Sequence, residues 1–98
     1  MPYRIQYSPD AEDHLRGLTA RQRSIVLDTI DRQLAHQPTV ETKNRKPMRQ
    51  NPLAAWEVRI GRMRVFYRVE EAEHVVQVLA VGVKRCHHVY LGEKVVDL

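Results

Sequence analysis

Residues 55–69 read AWEVRIGRMRVFYRV, and the period of this stretch decides the fold. Trp56, Val58 and Ile60 alternate with Glu57 and Arg59, while Met63, Val65, Tyr67 and Val69 alternate with Arg64, Phe66 and Arg68. A period of two belongs to strands with one face against a core. Gly61-Arg62 between them has the length of a two-residue hairpin loop, and glycine at its first position suits a type II′ turn. Such a loop fixes the register. Ile60 then faces Met63, Val58 faces Val65, Trp56 faces Tyr67 and Glu57 faces Phe66, which sets Arg59 opposite Arg64. Both arginines and Glu57 project from the face opposite the apolar row. Like charges directly opposite each other cost a hairpin up to ~1 kcal/mol, so a purely structural sheet gains nothing from this pair. A bridging phosphate, accepting forked guanidinium hydrogen bonds, would resolve the conflict. Two hydrated arginines splayed apart are the alternative.

On the N-terminal side, Tyr3, Ile5 and Tyr7 alternate with Arg4 and Gln6 as a half-buried strand. Ser8 can cap a helix with Pro9 in its first position, and Asp10, Glu12 and Asp13 complement the positive end of the dipole. Ala11, Leu15 and Leu18 form the inner stripe of this helix, and Gly17 marks its end. His14 lies beside the stripe as a partly buried surface residue. Thr19 and Gln22 have capping-box spacing and open a longer helix whose apolar face is Val26, Leu27, Ile30 and Leu34, with Pro38 forcing an end soon after His36. The two helices form a hairpin with one apolar side, which needs a sheet to cover. Lys43 to Pro52 reads as a loop or short edge strand interrupted by prolines.

On the C-terminal side, an acidic turn from Glu70 to His74 leads to VVQVLAVGV, Val75 to Val83, too uniformly apolar for an edge and therefore the central, two-sided strand. The tail from Lys84 carries Val89, Val95, Val96 and Leu98 as a short helix or a final packing segment. The expectation is an α+β fold in one domain, 1–98: an N-terminal strand and a two-helix hairpin packed on a small antiparallel sheet.

Charge is unevenly spread. The net formal charge is +4, yet residues 43–68 hold eight Lys/Arg against Glu57 alone, a net of +7. A field so concentrated suits a polyanion such as RNA or DNA, or else serves as a solvated surface. Lys43, Arg45, Lys46, Arg49, Arg68 and Arg85 are the candidate RNA contacts around the arginine pair. No apolar run approaches the ~20 residues of a bilayer span, and the first residues lack the apolar stretch of a signal peptide, so the chain is expected in the cytoplasm with no membrane partner. Cys86 is the single cysteine, which excludes an internal disulfide and argues against a zinc site. After the central strand, Lys84-Arg85-Cys86-His87-His88-Val89-Tyr90 brings cations, imidazoles and a phenol to one sheet end, groups fit for proton transfer and base stacking.

The order of these elements, with AWEVRIGRMRVFYRV and VVQVLAVGVKRCHHVY, resembles the RelE/ParE superfamily of toxin–antitoxin toxins, a microbial-ribonuclease-like fold, over nearly the whole chain. Trp56–Ile60 and Arg64–Tyr67 match its paired strand motifs. The resemblance implies either of two activities. RelE-type members are ribosome-dependent mRNA endonucleases, whereas ParE-type members inhibit DNA gyrase by binding, without the basic catalytic set. Arg59, Arg64, Lys84 and Tyr90 match the four RelE-type positions. Glu57 departs from a basic residue expected two before Arg59; the departure either weakens the site or resembles branches that use Glu with His, which would give His87 or His88 a role. The implied reaction is attack of a 2′-hydroxyl on the adjacent phosphate, with no cofactor or metal. The implied partners are a cognate acidic antitoxin in a hetero-oligomer, the ribosome and mRNA. A non-catalytic RNA- or partner-binding module is the remaining possibility.

Overall fold

The computed structural model describes residues 2–96, so the expected packing role of Leu98 lies outside the described residues. The chain runs β1 (Arg4–Tyr7), α1 (Pro9–Arg16), α2 (Ala20–Leu34), β2 (Arg45–Pro47), β3 (Trp56–Ile60), β4 (Met63–Glu70), β5 (Val75–Arg85), β6 (His88–Leu91) and β7 (Lys94–Val96). All seven strands join one sheet in the order β2-β3-β4-β5-β6-β7, with β1 paired to the first half of β5.

Local chemistry starts both helices. The Ser8 hydroxyl accepts from the Ala11 amide, and Thr19 and Gln22 complete a reciprocal capping box. Ala11, Leu15, Leu18, Val26, Ile30 and Leu34 bury their side chains against Val58, Val65, Tyr67, Val76, Val78 and Val81 in one core. The helices therefore cover one face of the sheet. The β3–β4 hairpin has the register set by a two-residue loop, Ile60 to Met63 through Trp56 to Tyr67, and Gly61 takes the positive φ of 59° that favours glycine.

β5 is central, as its composition requires. It pairs antiparallel with β4 along one flank; along the other it pairs parallel with β1 over Val75–Val78 and antiparallel with β6 over Val83–Arg85. The parallel β1 pairing qualifies the expectation of an antiparallel sheet. A bulge at Leu79 lets Phe66 pair with Ala80 and Tyr67 with Val78, so Val76, Val78, Val81 and Val83 all reach the helix side although their spacing is not strictly two. Between the two partners on that flank, α1 supplies what a strand would. The Ser8 hydroxyl donates to the Leu79 carbonyl at 2.9 Å, and the Val81 amide donates to His14 Nδ1 at 3.2 Å.

One expectation needs correction. The tail is neither a helix nor a loose packing segment; it forms the β6–β7 hairpin, because Val89-Tyr90-Leu91 and Val95-Val96 pair across Gly92, which has a positive φ of 65°. The basic stretch Lys43–Pro52 holds both forms expected of it, a short edge strand, β2, followed by a loop, and the strand places neighbouring cations on opposite faces.

Candidate functional site

The face away from the helices is framed by two features. On one side lies the loop 48–55 after β2; on the other, the β6–β7 hairpin folds towards the sheet over Gly82. A Cβ at Gly82 would stand 2.7 Å from Val89 Cγ1, 2.9 Å from Leu91 Cδ2 and 3.1 Å from the Tyr90 carbonyl oxygen. Glycine at this point is what allows the hairpin to pack so closely. Beneath this cover Phe66, on the same face as Arg64, is 1% exposed.

Within the frame, Glu57, Arg59, Arg64, Lys84, His87 and His88 line one open cavity of about 260 Å3, together with Met48, Phe66, Val89 and Val96. Six of the seven sequence-derived catalytic candidates thus meet at one place. The pairing of Arg59 with Arg64 is as the hairpin register requires. The anion that relieves their repulsion is internal, however. A Glu57 carboxylate oxygen lies 3.5 Å from Arg64 Nε and the other 3.9 Å from Arg59 Nε. The expectation that the arginine pair stands uncompensated until an external phosphate arrives is therefore corrected.

Arg64 is the anchored member. Its Nη1 donates to the Gly61 carbonyl at 2.8 Å and to the Met63 carbonyl at 2.9 Å, so the β3–β4 turn itself orients the guanidinium. Only 8% of the residue is exposed. That burial pushes its pKa down, against the opposing pull of Glu57, and the nearby Arg59 charge lowers it further. Arg59 is exposed, with half of its side chain open to solvent beside Glu57. With Lys84 the cluster counts three cations against one carboxylate, a net of +2 before the histidines are considered.

Arg64 and Lys84 also line a second recess of about 450 Å3, shared with Gly61, Arg62 and Cys86 at the turn end. Met48, Glu57 and Val96 also line a third, of about 790 Å3, between the loop and the β6–β7 hairpin. Three recesses thus run in series across the face, joined at the charged cluster.

Tyr90 stands apart from that cluster. It pairs with Val83, on the helix side of β5, and the Arg85 guanidinium lies over its ring at 5.6 Å from the centroid. Lys84 pairs instead with Val89 on the cavity side, so the alternation of β6 separates Tyr90 from it. Arg45 is likewise corrected as an RNA contact. It pairs with Val58 on the core side, is 6% exposed and donates to the Gln37 carbonyl. Lys46, its neighbour, pairs with Glu57 on the cavity face. Lys43, Arg49, Arg68 and Arg85 are exposed, Arg68 donating to Gln77 Oε1 at 2.7 Å beyond the Phe66 end of the cavity.

The cavity residues Met48, Phe66, Val89 and Val96 escaped the sequence reading. The signal for Met48 was a lone apolar side chain among cations, and for Phe66 a large aromatic at a position of the outward-facing row. Tyr67 serves the fold: its buried hydroxyl donates to the Pro38 carbonyl at 2.6 Å and burial raises its pKa.

Solved structures that share this architecture include two toxin–antitoxin complexes. A chain of the toxin–antitoxin complex RelBE2 from Mycobacterium tuberculosis superposes with a TM-score of 0.75 at 24% identity, over 86% of this chain and 93% of that one. A chain of the archaeal RelE–RelB complex from Pyrococcus horikoshii gives 0.66 at 20% identity, over 83% and 93%. No curated protein matches the chain. The fold is that of the RelE/ParE toxins. A family model described as the ParE toxin of type II toxin–antitoxin system, parDE, matches residues 5–85, and the chain belongs to this family of type II toxins.

Proposed function

We propose that this toxin is a metal-independent endoribonuclease that cuts mRNA on the ribosome and so stops translation. The observation that carries this reading is the convergence of Glu57, Arg59, Arg64, Lys84 and the two histidines on one open cavity. A protein acting only by binding has no need to bring a carboxylate, two guanidiniums, an amine and imidazoles to one point.

The reaction breaks the P–O5′ bond as the 2′-oxygen forms a new bond to the same phosphorus, leaving a 2′,3′-cyclic phosphate. Glu57 takes the 2′-hydroxyl proton, since an arginine hardly gives up its own and cannot act as base. Arg64, fixed by the turn carbonyls, and Arg59 face the charge that grows on the phosphorane oxygens. Lys84 or one of His87 and His88 protonates the leaving 5′-oxygen. The incoming phosphate takes over the arginine contacts that Glu57 holds in the free protein, which frees the carboxylate at the moment it is needed. Tyr90, on the far side of β6, has no part in this step.

An acidic antitoxin is the expected partner, as the two structural relatives are toxins in complex with theirs. Its negative charge would complement the surface of β2, the loop and the cavity.

The second reading, a gyrase inhibitor that binds without catalysis, is favoured by the ParE-type family match and by the distance of Tyr90 from the cluster. Purified toxin added to programmed ribosomes decides between them. Mapped mRNA ends with a cyclic phosphate support cleavage; intact mRNA with blocked gyrase supercoiling overturns it.

A further inference from the structure

The third recess has a character that the charged cluster does not share. Its walls are apolar on both sides, Met48 and Leu53 from the loop against Leu91 and Val96 from the β6–β7 hairpin, and it opens onto Glu57. Both walls are held in place before any ligand arrives. On the loop side, the Asn51 side chain accepts from the Leu53 and Ala54 amides at 2.8 and 3.0 Å and donates to the Ala54 carbonyl at 3.0 Å. On the hairpin side, the close approach over Gly82 seats Leu91. Arg49 and Gln50 stand at the rim with exposed side chains.

We propose that this groove is a nucleobase subsite: it receives the base of the nucleotide next to the phosphate held by Arg59 and Arg64, and Arg49 and Gln50 read that base's edge. The inference rests on the nuclease reading and deepens it. A flat, apolar-faced ring with polar edges, joined to a phosphate through one sugar, is the ligand that fits an apolar slot opening directly onto a cationic cluster. The recess is continuous with the cluster through Glu57, Met48 and Val96, so one nucleotide can occupy both. An acidic peptide would suit the cationic cluster but would leave the apolar walls without a matching flat surface. Side-chain hydrogen bonds to a base edge discriminate between bases by roughly ten-fold or more each, so Arg49 and Gln50 make the slot a determinant of which codons are cut.

The test uses programmed ribosomes carrying mRNAs randomised at the exposed codon, with cleavage ends sequenced. Wild type should prefer certain bases at the nucleotide flanking the cut. Leu53→Trp, which fills the slot and keeps the base edge from Arg49 and Gln50, should change that preference by ~ten-fold or more. Val95→Trp, on an exposed residue paired with Tyr90 on the other side of the hairpin, should match wild type. If Leu53→Trp is inactive on every codon, Leu53→Ala decides, and its preference should broaden. A wild-type toxin that cuts without base preference, or slot variants that keep the wild-type profile, overturn the subsite while leaving the nuclease reading intact. Slot variants with an unchanged cleavage profile that lose only antitoxin binding overturn it in favour of a protein dock. A wild-type toxin that cuts nothing overturns both.

Discussion

Glu57→Gln removes the one negative charge of the cavity while keeping its size. The carboxylate lies 3.5 Å from Arg64 Nε and 3.9 Å from Arg59 Nε. At such a distance a charge pair is worth ~1 kcal/mol in a water-like medium and ~5 kcal/mol at an effective dielectric of about 20. Half of the Arg59 side chain is exposed, which puts its share at the screened end. Arg64, nearly buried, lies higher. A net loss of ~1–2 kcal/mol follows, which lowers the Tm of a domain this size by ~4–8 °C per kcal/mol. The same charge works in the opposite sense on a phosphate. Its removal takes the cluster from +2 to +3, so a non-cleavable 2′-O-methyl RNA should bind ~5–30-fold more tightly, the equivalent of 1–2 kcal/mol. The slope of log K against log salt should also steepen by ~0.7 for the one added ion contact. Cleavage on ribosomes should fall by ~10²–10⁴-fold, the usual contribution of a general base. Binding titrations at several salt concentrations, beside single-turnover cleavage, read both effects. An unchanged slope and affinity would refute the internal counter-ion, and undiminished cleavage would refute Glu57 as base.

Arg45→Met and Lys46→Met, adjacent in sequence, should separate. Lys46→Met should weaken RNA binding and flatten the salt slope by ~0.7, whereas Arg45→Met should leave the slope unchanged in the same titration, because Arg45 lies on the core side. Gly82→Ala should cost ~1–3 kcal/mol in denaturant unfolding, since its Cβ collides with the stiff, β-branched Val89 and with Leu91 and is tight against the Tyr90 carbonyl. Tyr67→Phe leaves the Pro38 carbonyl without its donor and should cost ~1–3 kcal/mol in the same assay. His14 is held below its usual pKa chiefly by burial, against the opposing charges of Asp10 and Asp13, so its contribution to stability is intact above about pH 6.5 and is lost as pH falls through the depressed folded pKa. Thermal melts from pH 7.5 down to 5 should show that loss in wild type and a shallower one in His14→Gln.

Most of the fold could be read from local signals because each was reinforced by its neighbours. A period of two on both sides of Gly61-Arg62 admitted one register, and the Ser8 and Thr19 caps bounded both helices. The tail was harder. Val89, Val95 and Val96 are too few to show a period, and what orders them is pairing with the end of β5 across the short turn Cys86-His87 and the absent side chain of Gly82, neither of which leaves a periodic mark in so short a run. The bulge at Leu79 was invisible for a related reason: in an all-apolar run, a one-residue insertion leaves no break in polarity to mark it.

The site was legible where it lay within one hairpin and failed where it depended on alternation beyond a turn. Arg59, Arg64 and Glu57 share a face by register alone, but Tyr90 follows Lys84 through the two-residue turn Cys86-His87 into a strand of only four residues. Position in the sequence says that Tyr90 is close to Lys84, and the pairing says that it faces away. The role of Glu57 shows the same limit from the other side. Read along the strand it is an acidic interruption of a basic field, a sign of weakened activity; in three dimensions it is the partner of both arginines. A carboxylate so placed keeps the phosphate site self-compensated when empty, so the cluster need not hold three unscreened cations beside the buried Phe66. Glu57 is already counted in the net +7 of residues 43–68, and its charge is placed inside the arginine cluster rather than elsewhere on the surface; under the proposed reaction, occupancy by phosphate and release of the carboxylate would be one event, as a base that acts only on bound substrate requires.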